Sequence, residues 1–322
     1  MQNQSNMQKL LVICGATATG KTAVGVQIAK KFDGEILSAD SRQVYKELDC
    51  ISGKDIAKGQ QSVVIDDLVT YSIKNIPIWL YDLVKIDEEC SVSVYARAAK
   101  KAISIITQRN KKFPIVIGGT GLYISSFIKS IDTIDIPRNA VLRQELEKED
   151  VDMLKIRLQK IDSQKFFSMN HSDLFNPRRL IRAIEVGLWK VTHDTFKNVE
   201  PSFDLLRIGL KSDEDSQRER IRQRVIDRMN SCAVQEARLF VDIFDKQLPS
   251  YSTLGLSHLF SYLRGDLTKE KVIDLWTKDE CAYAKRQETW FRKEKDIVWL
   301  DVVNSQFKDS IEKLVGEWYT KK

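Results

Sequence analysis

Lys9-Leu10-Leu11-Val12-Ile13-Cys14 runs directly into Gly15-Ala16-Thr17-Ala18-Thr19-Gly20-Lys21-Thr22, and a helical pattern follows over 21–31. The apolar run reads as a strand buried on both faces, and the eight residues after it match GxxxxGK[ST] between strand and helix. Glycines at both ends of such a loop let backbone amides turn inward around phosphate oxygens, and the helix N-terminus adds its partial positive charge. Lys21 then neutralises the outer phosphate, and the Thr22 hydroxyl is placed to ligate a magnesium ion bridging the phosphate groups. A nucleoside triphosphate and a small diphosphate present similar oxygens, so the loop leaves its ligand open.

Working outward, short apolar runs at 35–38, 115–117, 205–210 and 297–300 read as further core strands, the second of them after a helical stretch over 92–109. Strands alternating with helices imply a parallel sheet. The expected class is α/β, a P-loop NTPase-like parallel sheet core flanked by helices, with a mainly helical insertion. That insertion is read over 124–200, where charged helical segments are punctuated by Pro137 and Asn176-Pro177, leaving 1–123 and 201–322 for the core. Two units suit 322 residues, and 43% hydrophobic with 30% charged residues supports buried cores rather than disorder. The 5 cysteines are scattered without CxxC spacing, so no disulfide framework or zinc ribbon is expected and a reducing cytoplasm fits. Three dispersed histidines propose no metal cluster, and no apolar run or N-terminal leader suggests a membrane span or secretion.

In an open parallel sheet, ligands gather at the carboxyl ends of the strands. Besides the loop, two such ends stand out: Asp40-Ser41-Arg42-Gln43-Val44-Tyr45 and Gly118-Gly119-Thr120-Gly121-Leu122-Tyr123. Asp40 can act as a general base, cap a helix or stand behind a magnesium ion. Thr120 offers a hydroxyl beside glycines that permit close approach, or the segment is simply a tight strand-to-helix turn. Val63-Val64-Ile65-Asp66 reads either as a Walker-B strand or as half of a solvent-facing hairpin. Three basic clusters remain: Arg178, Arg179 and Arg182; Arg218 to Arg224; and Lys285 to Lys293, where bases interleave with aromatics. Each could be a solvated helix face, yet together they point to a nucleic acid.

Six of these segments, in this order, resemble the tRNA dimethylallyltransferases, also called tRNA isopentenyltransferases: Gly15 to Thr22, Asp40 to Tyr45, Gly118 to Tyr123, Pro177 to Val186, Arg220 to Arg224 and Ala284 to Arg292. The resemblance covers nearly the whole chain. It implies transfer of a dimethylallyl group from dimethylallyl diphosphate to the exocyclic N6 of adenosine 37, beside the anticodon of tRNA, with Mg²⁺ as cofactor. By the same resemblance Gly15, Ala16, Thr17, Ala18, Thr19, Gly20, Lys21 and Thr22 hold the diphosphate, Thr22 reaches the metal, and Asp40, Thr120 and Arg224 are the catalytic residues. Asp40, Ser41, Arg42, Gln43, Arg143, Arg178, Arg179, Arg182, Gly255, Lys285, Arg286, Gln287 and Arg292 face the tRNA anticodon stem-loop, with the insertion as its clamp. A pocket with two entrances follows, because the adenosine must leave its stack to meet the donor. A cytoplasmic monomer is implied, with no membrane and no protein partner required.

Departures from the family pattern occur at Ile51-Ser52-Gly53-Lys54-Asp55, at Ile78-Trp79-Leu80-Tyr81-Asp82, at Gly255-Leu256-Ser257-His258 and at Glu280-Cys281. They spare the loop, Asp40 and Arg224, and bear on RNA contacts; His258 reads as an isolated exposed histidine or an RNA contact. Competing readings are prenylation of free adenine nucleotides, a P-loop kinase, and a catalytically silent RNA-binding protein. The net charge of +6 resolves into three patches of +3 each and a remainder of −3. Basic character is thus local rather than general.

Overall fold

A computed structural model of the chain describes residues 7–57, 59–129, 133–193, 203–242 and 248–321. The opening apolar run is β1 (Gln8–Gly15), and the phosphate loop carries it into α1 (Lys21–Phe32). β2 (Gly34–Ser38) and the short α2 (Asp49–Ser52) precede a meander of β3 (Val63–Ile65), β4 (Leu68–Ile73) and β5 (Ile76–Trp79). After α3 (Val92–Ser104), which ends in a π-helical turn at Ile105–Arg109, come β6 (Phe113–Gly118) and α4 (Gly121–Ile128). The chain later returns through β7 (Phe203–Lys211).

One eight-stranded sheet results, ordered β3-β4-β5-β2-β6-β1-β7, with β8 (Ile297–Asp301) at the far edge. From β5 to β8 every neighbouring pair is parallel. The expected parallel core is present, and β3-β4-β5 extend it as an antiparallel edge. Asp66 and Asp67 form the β3-β4 turn, both at positive φ (47° and 66°), which is the type I′ geometry that closes a two-residue hairpin. Asp66 bonds Arg109 and the Asp67 side chain is 99% exposed, so this segment is a solvent-facing hairpin and not a Walker-B strand.

The central strands carry the core because helices cover both faces. Leu11, Ile13, Ile36, Ile115, Ile117 and Ile208 are all buried against Val24 and Ile28 of α1, each side chain contributing roughly 1.5–3 kcal/mol. Beyond β7 lie α10 (Glu214–Asn230), α11 (Ala233–Arg238), α12 (Leu256–Leu263), α13 (Lys269–Phe291) and, after β8, α14 (Phe307–Thr320); α10 and α13 pack on one another.

Contacts divide the chain into Met1–Lys129 with Pro201–Lys322, and Ser130–Glu200. An insertion starting at residue 124 would cut α4, whose Tyr123, Ile124 and Phe127 are buried and whose Tyr123 ring stacks on Tyr95 of α3; the division falls after Lys129 instead. The second unit consists of α5 (Ala140–Leu146), α6 (Val151–Ile161), α7 (Ser163–Ser168), α8 (His171–Leu174) and α9 (Pro177–Thr192). Leu146, Leu154, Leu158, Leu180 and Ile184 form its own small core. Residues 130–132 and 194–200 of the expected insertion lie outside the described residues.

Cys50 and Cys232 form a disulfide, Cα atoms 5.9 Å apart across 182 residues of sequence, which corrects the expectation drawn from scattered cysteines. Spacing along a chain carries no information about a pair that tertiary folding brings together. The bridge joins α2 to the start of α11, where Glu236 also accepts the backbone N–H groups of Asp49, Cys50 and Ile51. In the oxidised protein, Cys232→Ser should lower the unfolding free energy by about 2–4 kcal/mol, read from urea denaturation. An unchanged midpoint would mean that Glu236 alone fixes this junction.

Candidate active site

The phosphate loop is wound as its sequence requires. Gly15 sits at φ 135° against β7, where a Cβ would lie 2.4 Å from the Leu210 carbonyl oxygen, so no other residue fits. Ala18 is a non-glycine residue at φ 61°, a strained conformation of the kind that persists where its surroundings hold it. The surroundings here are side chains of α10: Arg220 Nε donates to the Ala18 carbonyl at 3.0 Å, and Gln217 Nε2 to that of Thr17 at 2.9 Å. From α13, Gln287 Oε1 accepts the Thr17 N–H at 2.8 Å.

A cleft of about 590 Å³ opens in front of the loop, lined by Thr17 to Ala23 and by Ser38, Asp40, Gln43, Gly53, Asp55, Gly118, Arg220 and Arg224. Lys21 donates to the Ala16 carbonyl at 2.6 Å, and burial brings its ammonium down to about 8 against the partly opposing field of Asp40. Asp40 lies at the end of β2, and burial raises its carboxyl while the Arg42 N–H, donating at 2.8 Å, and Lys21 oppose the rise. Desolvation therefore raises the carboxyl and lowers the ammonium, bringing the titrations of the two groups closer together. Arg224 reaches the loop through Thr17 Oγ1 at 3.1 Å.

Behind Asp40 lies a second, smaller cavity of about 40 Å³, bounded by Arg42, Ile51, Ser52, Arg228, Thr253, Leu254, Glu280 and Tyr283. Thr17, Asp40, Gln43 and Arg224 line both spaces, so the two adjoin at these residues. Thr120 follows β6 and accepts the Ser41 N–H at 2.9 Å, with the Tyr283 hydroxyl 3.5 Å away. Arg42 reaches from this side to Ser252 at 2.7 Å. Sequence did not single out Tyr283 and Arg228, and it marked Asp55 and Glu280 only as departures from the family pattern. No motif marks them, and they enter the site from three separate elements.

Several residues expected at the RNA have partners within the protein. Gln287 is buried and holds the phosphate loop. Gly255 caps α12 at φ 88°, and a Cβ there would meet the Trp276 ring. His258 is not isolated: Nε2 lies 2.8 Å from an Asp279 carboxylate oxygen. In the second unit Arg143 grips Glu185 with two bonds (3.0 and 2.8 Å), and Arg182 bonds Glu185 and the carbonyls of Thr133 and Ile136. Burial would raise the Glu185 carboxyl, but the bonds from Arg143, Asn139 and Arg182 hold it at about 2. Arg179 pairs with Asp173 and Arg292 with Glu288, both at the surface. Arg178, Lys285 and Arg286 remain exposed.

The donor set suits a hard divalent cation held mostly by phosphate. Thr22 Oγ1 has no hydrogen-bond partner among the described residues, and Asp40 and Asp55 line the same cleft. No cluster of three or more His, Cys, Asp or Glu occurs among those residues, so the protein offers no closed cage, which is the usual situation for Mg²⁺.

Comparison with known proteins gives a consistent picture. The IPP transferase family model matches residues 43–294 and an isopentenyl transferase model residues 8–65. The chain is 37% identical over 303 residues to tRNA dimethylallyltransferase 2 of Treponema denticola, covering 90% of this chain and 93% of that one. Among solved structures, the full-length tRNA isopentenylpyrophosphate transferase of Bacillus halodurans superposes with a TM-score of 0.67 at 30% identity, covering 97% and 96% of the two chains. A eukaryotic dimethylallyltransferase that acts on tRNA shares the fold, with a TM-score of 0.75 at 24% identity over 96% of this chain and 78% of that one.

Proposed function

The chain belongs to the IPP transferase family, a tRNA dimethylallyltransferase that transfers a dimethylallyl group to tRNA, and from that premise we propose the donor, the target atom and the residues that act. The donor is dimethylallyl diphosphate in the cleft before the loop, and the acceptor is N6 of the adenosine beside the anticodon, entering from the cavity behind Asp40. The convergence of both spaces on Asp40 carries this reading, because a phosphate-binding cleft alone would serve a kinase equally well.

An exocyclic amine is a weak nucleophile because its lone pair is delocalised into the ring. Asp40 accepts the N6 proton as the C–N bond forms and the bond from C1 to the diphosphate oxygen breaks. Negative charge then gathers on the leaving diphosphate, where Lys21, Arg224 and the loop amides meet it without reorganising. Thr120 positions the adenosine from the β6 end. Mg²⁺, held by Thr22 with Asp40 or Asp55 nearby, would supply Lewis-acid neutralisation of the same charge.

Exposed Arg178, Lys285 and Arg286, with half-buried Arg42, are the contacts for the RNA backbone. Among the described residues no helix is long and apolar enough to cross a membrane. We place the enzyme in the cytoplasm as a monomer, where the Cys50–Cys232 pair would stand mostly reduced.

Incubation with labelled dimethylallyl diphosphate, Mg²⁺ and unmodified tRNA transcripts should put label on the RNA with release of diphosphate. An AMP arm and an ATP arm run in parallel. Label on AMP alone would establish the free-nucleotide reaction, and phosphate transfer from ATP would establish a kinase.

A further inference from the structure

The small cavity behind Asp40 has one wall built from a buried ion pair. Arg228 Nη1 donates to Glu280 Oε1 at 3.1 Å, and both side chains are 11% exposed. Arg228 lies one helical turn beyond Arg224 on α10, so the two guanidinium groups share a face. The first reaches the phosphate loop through Thr17, while the second meets α2 through the Ile51 carbonyl at 3.4 Å and lies 5.8 Å from the Trp276 ring centre. Gly53, at φ 69°, leaves the space that the guanidinium fills: a Cβ there would stand 2.0 Å from Arg228 Nη2. Gly53 and Glu280 both occupy segments in which the sequence departs from the pattern it resembles, and the fold brings both against Arg228.

A buried ion pair gives little net stability, because desolvation offsets the attraction, but removing one partner alone leaves an uncompensated charge. Such a pair is a means of fixing geometry. The cavity it bounds, about 40 Å³, is too small for a nucleobase, so one side must yield when an acceptor enters. Arg42, which also lines the cavity, is held by an exposed bond to Ser252, whereas the buried Arg228–Glu280 pair is tied into α10, α13 and α2.

We propose that Arg228 and Glu280 are positioning residues of the transfer reaction, forming the fixed wall against which the acceptor base registers beside Asp40. The inference rests on the reaction proposed above. It assigns the pair to the acceptor side alone, since the diphosphate is held by the loop and Arg224.

The test measures KM for an anticodon stem-loop RNA and for dimethylallyl diphosphate, with thermal midpoints, in Glu280→Gln, Arg228→Met and the double variant. Each single variant should raise KM for the RNA by about tenfold or more, as expected when one partner of a buried charged pair is lost. KM for dimethylallyl diphosphate should stay within about twofold, and the double variant should lie closer to the wild type than either single one. A loss shared equally between the two substrates, or RNA KM values equal to the wild type in all three variants, overturns the inference. Single variants too unstable to assay leave the double variant decisive: its RNA KM must then exceed the wild-type value with the diphosphate KM preserved. Wild-type protein that prenylates no RNA in the same assay brings down the underlying reaction as well.

Discussion

Asp40→Asn should lower kcat for tRNA prenylation by about 10²–10⁴-fold, the usual worth of a positioned general base. The substitution is isosteric, and the amide oxygen can still accept the Arg42 N–H that Asp40 accepts at 2.8 Å, so the turn after β2 survives. RNA affinity, measured by filter binding, should change by no more than about threefold, since the carboxylate acts in the transition state rather than in binding. Burial raises the Asp40 carboxyl above its ordinary 3.8, so its charged form is disfavoured in the folded state. Stability associated with a raised acid is present below its unfolded value and is lost as pH rises through the folded one. At neutral pH the asparagine variant should therefore melt no lower than the wild type. Its pH profile should also lack the acid limb, because no proton competes for the base. A large loss of RNA binding with kcat preserved would instead make Asp40 a recognition residue.

Much of the molecule could be read before folding because its signals are local. β1, the loop and α1 form one contiguous unit whose apolar run, glycines and lysine each have a single structural use. The antiparallel edge was only half legible for a physical reason: Val63-Val64-Ile65 suits a hairpin as well as a Walker-B strand, and Pro77 interrupts the apolar run of β5. Pairing is not visible in a run of charges. Arg182 belongs to a basic cluster and Arg143 is expected at the RNA by resemblance alone, yet both bond Glu185, three residues beyond Arg182. Gln287 lies within a segment rich in bases and aromatics, but helical phase turns it inward to the loop while Lys285 and Arg286 face outward. Arg228 lies outside the six segments, and Glu280 marks only a departure from the family pattern. Their meaning depends on α10 and α13 packing side by side, which no local pattern specifies.

Lys21→Met should lower kcat/KM for dimethylallyl diphosphate by about 10²–10³-fold, comparable to losing one preorganised donor to a developing anion. Methionine keeps the length of the side chain and its packing while deleting the charge. KM for the RNA should move little, since Lys21 lines the cleft and not the cavity behind Asp40. Burial brings the Lys21 ammonium to about 8, so in the free enzyme its charge is complete well below that pH and is lost as pH rises through it. The profile of kcat/KM for the diphosphate, which reports free-enzyme groups, should accordingly fall above about pH 8 in the wild type. In the methionine variant that alkaline limb should disappear, leaving a low plateau. Both effects have one cause, a cation desolvated beside a carboxylate, and the two measurements separate it from the alternatives. An alkaline limb that persists without Lys21 would assign the titration to another group, and a loss confined to the RNA KM would place Lys21 on the wrong substrate.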